Sequence, residues 1–282
     1  MATSTSSGPG GASETSVTTT PSVGLRKMAA VIGEEVTGQS YPTAMLRATV
    51  TVDGSARLAL EDAVSSAEDT WDAVDAYIGT HLGTSDDVLE ATLADSVSAG
   101  LPEIAVSPPQ GKLLMLLAAS IGARRILEIG TLGGYSTIWL ARALPADGEL
   151  VTCEYSSEHA RVAQENLERA GVASLVSVRV GPALDTLPTL TGPFDLTFID
   201  ADKEINPRYF THAVDLSRPG SLVVVDNTVR HGVVVDASRD DAATLGTRAL
   251  YETVRDEPRV TATAIQTVGS KGYDGFVLAR VL

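Results

Sequence analysis

Two stretches of this chain place oxygen-rich side chains directly after apolar runs. One reads Phe198-Ile199-Asp200-Ala201-Asp202-Lys203 and the other Val223-Val224-Val225-Asp226-Asn227. If the two runs are neighbouring parallel strands, Asp200, Asp226 and Asn227 meet at one rim. Two carboxylates and an amide oxygen form a hard, all-oxygen set that matches Mg²⁺, which keeps its other positions for water or substrate. Zinc fits poorly, because the four histidines (His81, His159, His212 and His231) show no paired ligand spacing. Taken singly, each acid reads equally well as a helix cap or a solvated loop end. Asp202 has three readings: a cofactor contact, a support for a neighbouring ligand, or a cap for the next helix. Lys203 offers an amine that either takes a proton or pairs with Asp200 or Asp202.

A second constellation lies upstream, in Ile126-Leu127-Glu128-Ile129-Gly130-Thr131-Leu132-Gly133-Gly134-Tyr135-Ser136. It reads as a strand, a glycine-rich turn and a helix start. Glycine there lets a ligand approach the backbone. The G-x-G-x-x-G spacing that seats a pyrophosphate is missing. An acid, Glu128, stands just before the first glycine instead, which disfavours pyrophosphate and suits a cofactor carrying an ammonium and a sulfonium. Glu154 ends the next apolar run, 24 residues past Gly130, where an acid accepts hydrogen bonds from both ribose hydroxyls of an adenosine. Together these point to S-adenosylmethionine, against the plainer alternative of an ordinary turn with a surface glutamate. Cys153, the only cysteine, reads as a small core residue rather than a nucleophile.

The elements that must hold these residues are legible as alternation. Strands are expected at 125–129, 149–154, 176–180, 196–200 and 222–226, and helices at 136–144, 157–170, 182–188 and 206–216. Short apolar strands separated by helices predict a doubly wound, mostly parallel α/β sheet. Two further strands, 262–267 and 275–281, joined through Gly269-Ser270-Lys271-Gly272, predict an antiparallel C-terminal hairpin closing the sheet edge. Helical spacing of Ala63, Ala67, Trp71, Val74 and Ile78 predicts a helix over 59–82. Others are expected at 85–98, opened by Ser85, and at 111–121. Residues 1–22 are low in complexity and expected to be disordered. Residues 23–60 read as an extension, with a short helix over 25–36 and a strand and turn over 49–54. The main domain is expected to span 61–282.

Composition narrows the function classes. The hydrophobic fraction is 44 % and the net charge −15. Residues 1–60 carry four basic and four acidic side chains, so the whole excess lies in 61–282. Such a surface repels phosphate backbones, which makes nucleic acid a poor partner. No uninterrupted apolar run reaches membrane-spanning length, and no secretory signal is recognisable. A lone cysteine excludes an intramolecular disulfide and fits a cytoplasmic protein.

Taken together, Leu127–Ser136, Phe198–Lys203 and Asp226-Asn227 resemble the cation-dependent class I O-methyltransferases, the group of catechol and caffeoyl-CoA O-methyltransferases. Ala105-Val106-Ser107, Gly181-Pro182-Ala183 and the hairpin Thr267–Phe276 extend the likeness, the last toward bacterial and fungal members, so that it covers about residues 65–282. The resemblance implies a Rossmann-like methyltransferase fold, with Asp200, Asp226 and Asn227 on the metal. It assigns cofactor contacts to Val106, Glu128, Gly130, Thr131, Ser136, Glu154, Ala183 and Asp202, and the general base to Lys203. It implies a small phenolic acceptor such as a catechol, and a homodimer. Arg230 and His231 stand where plant members carry Trp and Asn, so these two are candidate contacts to a different acceptor. Residues 1–60 have no counterpart in the compact members. The family's tRNA methyltransferases, which act on a wobble-uridine carboxylate, supply the alternative reading. An oxidoreductase and a non-catalytic cofactor-binding module are the remaining rivals.

Overall fold

A computed structural model describes the backbone of residues 54–282 and side chains from residue 67 onward. The expected disorder of 1–22, the helix at 25–36 and the strand at 49–52 lie outside the described residues. The chain divides into two units, at Ser66 and Ala67, and the site described below belongs to the second.

Seven strands form one sheet in the order β3-β2-β1-β4-β5-β7-β6. They are β1 (Arg125–Ile129), β2 (Glu149–Glu154), β3 (Val176–Val180), β4 (Phe194–Ile199), β5 (Ser217–Asp226), β6 (Val260–Gly269) and β7 (Gly272–Val281). The first five run parallel, while β7 lies antiparallel to β5 and β6 antiparallel to β7. The doubly wound sheet with its closing hairpin is therefore the architecture formed. Strand order reverses between β1 and β4, and a crevice opens at that switch point beyond the carboxyl ends.

The described residues form eight α-helices: α1 (Gly54–Leu82), α2 (Asp87–Ser98), α3 (Pro108–Ser120), α4 (Tyr135–Ala141), α5 (Ser157–Arg169), α6 (Ala183–Thr186), α7 (Asn206–Asp215) and α8 (Ala242–Asp256). Alternation along each strand builds two cores. Ile126, Leu150, Phe198 and Val224 face one side with Leu114 and Ile138, whereas Leu127, Val151, Ile199 and Val225 face the other with Phe210 and Leu250.

Several boundaries differ from expectation for local reasons. Asp86, not Ser85, caps α2, its carboxylate accepting the Leu89 N–H at 3.0 Å. Helix α3 starts at Pro108 rather than at Gly111, because Ser107 caps it and a first turn tolerates proline. Gly54, expected in a turn, opens α1. The helix expected over 182–188 stops at Thr186 and tightens into a 3₁₀ turn, Leu187–Thr189, containing Pro188. Strand β5 begins at Ser217, five residues before the expected start. Helix α8 was not expected at all; Asp241 caps it by accepting the Thr244 N–H at 3.0 Å, and Thr244, Thr247 and Leu250 face inward.

Candidate active site

One side of the crevice is built on β1 and β2. Pleating places Glu128 on the same face as Ile126, toward α4. There its carboxyl accepts from Ser136 Oγ at 2.7 Å, Thr137 Oγ1 at 2.5 Å and Thr152 Oγ1 at 2.7 Å. Burial pushes this acid up to about 7, against the pull of the three hydroxyls. Glu128 is fully enclosed and does not line the cavity. The strand's alternation turns it away from the crevice and into the β1–α4 turn.

Gly130 sits at φ 101°, a left-handed value that favours glycine. A Cβ there would overlap the Asp200 carbonyl oxygen. Glycine at this position thus lets the loop after β1 close against the end of β4. Glu154 finishes β2, and its carboxylate gathers the same loop. Oε2 accepts the N–H groups of Thr131 at 3.2 Å and Leu132 at 2.8 Å, while Oε1 accepts that of Ser156 at 2.9 Å. His159 Nδ1 lies 3.3 Å from Oε1.

These elements enclose a cavity of about 620 Å³. Val106, Gly130, Thr131, Ser136, Glu154, Ala183 and Asp202 all line it, as do Asp200, Lys203 and Asn227. Sequence reasoning missed Tyr155, His159 and Tyr209, which line it as well. Tyr155 and His159 had a signal: they follow Glu154 closely, at the strand end and in the first turn of α5. Cys153 also reaches the wall, but burial pushes its thiol up to about 12, which leaves no nucleophilic thiolate.

The opposite side is carried by the ends of β4 and β5. Asp226 is buried at the last position of β5, where it accepts the N–H of Asn227 at 2.9 Å. Asn227 turns the chain sharply, at φ 55°. Lys203 Nζ bonds Asp200 Oδ1 at 2.7 Å. Burial, and next the Asp200 carboxylate, push the Asp226 carboxyl up to about 7. Asp226 and Asn227 also line an adjoining cavity of about 220 Å³, together with Gln110 and Lys271. Arg230 and His231 line neither cavity. The N–H groups of Val229 and Arg230 bond Asp274 Oδ1 at 3.1 and 2.8 Å, which ties the start of that loop to the hairpin.

Among the described residues no three His, Cys, Asp or Glu side chains gather as a metal cluster. The donor set here is two carboxylates and an amide. Its chemistry fits a hard divalent cation, since two acids share a poorly solvated corner with one lysine to balance them.

Residues 82–282 match the O-methyltransferase family. The chain is 56 % identical over 209 residues to a catechol O-methyltransferase of Mycobacterium tuberculosis, covering 74 % of this chain and 94 % of that protein. It is 50 % identical over 215 residues to a catechol O-methyltransferase of Niastella koreensis, covering 75 % and 97 %. Among solved structures, an O-methyltransferase from Bacillus cereus in complex with SAH superposes with a TM-score of 0.74 at 53 % identity, covering 76 % of this chain and 99 % of that one.

Proposed function

This chain belongs to the O-methyltransferase family and is an S-adenosylmethionine-dependent O-methyltransferase of the catechol type; on that premise we propose that it methylates a hydroxyl of a small catechol-like or other phenolic acceptor with the help of a divalent cation, Mg²⁺, held by Asp200, Asp226 and Asn227. The observation that carries the metal is the buried Asp226 carboxyl at the end of β5, next to the Lys203–Asp200 pair at the end of β4, where burial and then the Asp200 charge both push it upward. A cation held by Asp200, Asp226 and Asn227 would relieve that repulsion. When bound, S-adenosylmethionine supplies an electrophilic methyl group, and the cation lowers the pKa of a chelated hydroxyl and fixes its direction.

The chain's own residues do the rest. Glu154, held by three backbone N–H groups, presents its remaining acceptor capacity to the ribose. Gly130 and Thr131 bring backbone close to the cofactor, while Ser136, Ala183, Val106 and Asp202 complete its walls. Lys203, released from Asp200 and in its neutral amine form, would take the acceptor's proton at Nζ and carry it away as the ammonium. In-line geometry between oxygen and methyl group supplies much of the acceleration. Small acceptors are favoured by the catechol O-methyltransferases to which the chain is similar. The tRNA alternative is disfavoured by the net charge of −15. The same reading takes 61–282 as the catalytic domain, a homodimer as the assembly and the cytoplasm as the compartment. Among the described residues no helix is long and apolar enough to cross a membrane.

The test is methyl transfer from labelled S-adenosylmethionine to a panel of catechols, with Mg²⁺ and with EDTA. Transfer abolished by EDTA and restored by Mg²⁺ is the expected result. Turnover indifferent to EDTA would remove the metal assignment and leave the methyltransferase standing.

A further inference from the structure

Helix α8 takes no part in the mechanism above, yet it touches both strand ends that do. We propose that α8 positions the reacting groups, with Gly246 setting the place of Lys203 and Tyr251 the place of Asn227.

Gly246 lies in the buried face of a fifteen-residue helix, where propensity disfavours glycine against nearly every other residue. Its backbone is ordinary helix, so a left-handed turn does not explain it. Close approach does. A Cβ at Gly246 would overlap Glu204 Cα, lie 2.5 Å from the Lys203 carbonyl oxygen and 2.9 Å from the Glu204 carbonyl carbon. All three are backbone atoms, so no side-chain rotation can relieve the overlap. Either the helix or the Lys203–Glu204 segment must move by roughly an ångström to restore van der Waals separation. That segment is a single 3₁₀ turn, Lys203–Ile205, between the end of β4 and α7. Little chain is available to absorb the shift before it reaches Lys203, whose Nζ is set 2.7 Å from Asp200 Oδ1.

Tyr251 lies on the same helix. Its hydroxyl donates to the Thr228 carbonyl at 3.2 Å, one residue past Asn227. The Thr228 N–H in turn bonds the Gly275 carbonyl at 2.9 Å, so the turn at Asn227 is held from the hairpin and from α8. Arg248, between the two, bonds the carbonyls of Val233 and Val234 at 3.3 and 2.9 Å and so gathers the loop that follows. One rigid element thus references both halves of the acceptor side. A misplacement of about 1 Å in such a constellation can lower a rate on the order of a hundredfold.

The inference rests on the reading of Lys203, Asp200 and Asn227 as the reacting site. The experiment compares full-length wild type with Gly246→Ala, Tyr251→Phe and Lys203→Met. It measures kcat, the Mg²⁺ concentration for half-activation, and SAH affinity by calorimetry. Gly246→Ala is expected to lose kcat tenfold or more while SAH affinity stays within threefold. A purely structural defect would lower cofactor affinity in parallel. Tyr251→Phe is expected to raise the half-activating Mg²⁺ concentration at least threefold at unchanged SAH affinity, and it carries the test if Gly246→Ala does not fold. Wild-type kcat in folded Gly246→Ala, or an unchanged Mg²⁺ requirement in Tyr251→Phe, overturns the positioning role. Lys203→Met separates the two readings. If it keeps wild-type kcat, the assignment of Lys203 fails and the inference with it. If it loses activity while the helix variants keep theirs, only the inference fails.

Discussion

The two sides of the crevice solve opposite electrostatic problems. On the cofactor side Glu154 and Glu128 are satisfied by the chain itself. Glu154 accepts three backbone N–H groups and Glu128 three hydroxyls. On the acceptor side Asp226 and Asp200 share one lysine. The Thr228 hydroxyl is buried there without a partner, as is the Thr197 hydroxyl in β4. The first side is a finished socket. The second is a frame with too much negative charge for its solvation, and a cation would complete it. Preorganisation is therefore expected to govern affinity for the cofactor, and charge balance to govern turnover.

The sharpest break of this comparison is Asp226→Ala. Removing one of two carboxylates that stabilise charge at a reacting centre is expected to lower kcat by ~10²–10³-fold. SAH affinity, measured by calorimetry, should change less than threefold, since none of the cofactor loop's hydrogen bonds involves Asp226. A parallel collapse of cofactor affinity would show that the two sides are one site. The converse variant, Glu154→Ala, strands the N–H groups of Thr131, Leu132 and Ser156. Loss of one hydrogen bond from the ribose to the charged carboxylate, about 2 kcal/mol, by itself weakens cofactor binding by ~30-fold, and the loosened loop adds to that. Titration of kcat to saturating cofactor should restore most of the wild-type rate. A kcat that stays low at saturation would deny the division of labour.

How much of this was legible in the sequence follows the same division. The socket depends on short-range order: a strand, a glycine turn, a helix and an acid at the next strand end. Those signals lie within about thirty residues, and the strands β1 and β2 fall where alternation put them. Asp200 and Asn227 could be brought to one rim because parallel neighbours align their carboxyl ends. Two things escaped. The facing of Glu128 is a matter of pleat phase, and a five-residue strand apolar on both faces does not reveal its phase. Helix α8 escaped although Asp241 ahead of Ala242-Ala243 offers a cap and good helix formers. Its value lies in contacts with Lys203 and Thr228, about twenty to forty residues back, which periodicity does not encode.

Glu128 gives the socket a pH signature that sharpens the comparison. Its carboxyl is raised from 4.5 to about 7 by burial, so between those values the folded protein binds more proton than the unfolded chain. Its contribution to stability is then fully present below pH ~4.5 and is lost as pH rises through ~7, a change of about 3 kcal/mol. Glu128→Gln should remove that dependence. Chemical denaturation in EDTA at pH 5 and pH 7.5 is expected to show wild type losing more stability than the variant across this interval. Equal slopes would mean that the acid is solvated when the loop breathes, and the socket less closed than its hydrogen bonds indicate.

The smallest effect belongs to the loop beyond Asn227. Arg230 and His231 were candidates for the acceptor because they replace residues found in plant relatives. Both adopt left-handed backbone, at φ 54° and 53°, and neither side chain lines either of the two cavities described. The loop is fixed instead by Asp274, which accepts two of its N–H groups, and by Arg248 on its carbonyls. The fold therefore uses the loop's backbone rather than these side chains. Arg230→Ala and His231→Ala are expected to leave kcat/KM for simple catechols within twofold of wild type. The informative comparison is a catechol against its carboxylated analogue in Arg230→Ala. If only the carboxylated acceptor loses kcat/KM, the loop swings toward the cavity when acceptor binds, and the acceptor side is unfinished in shape as well as in charge.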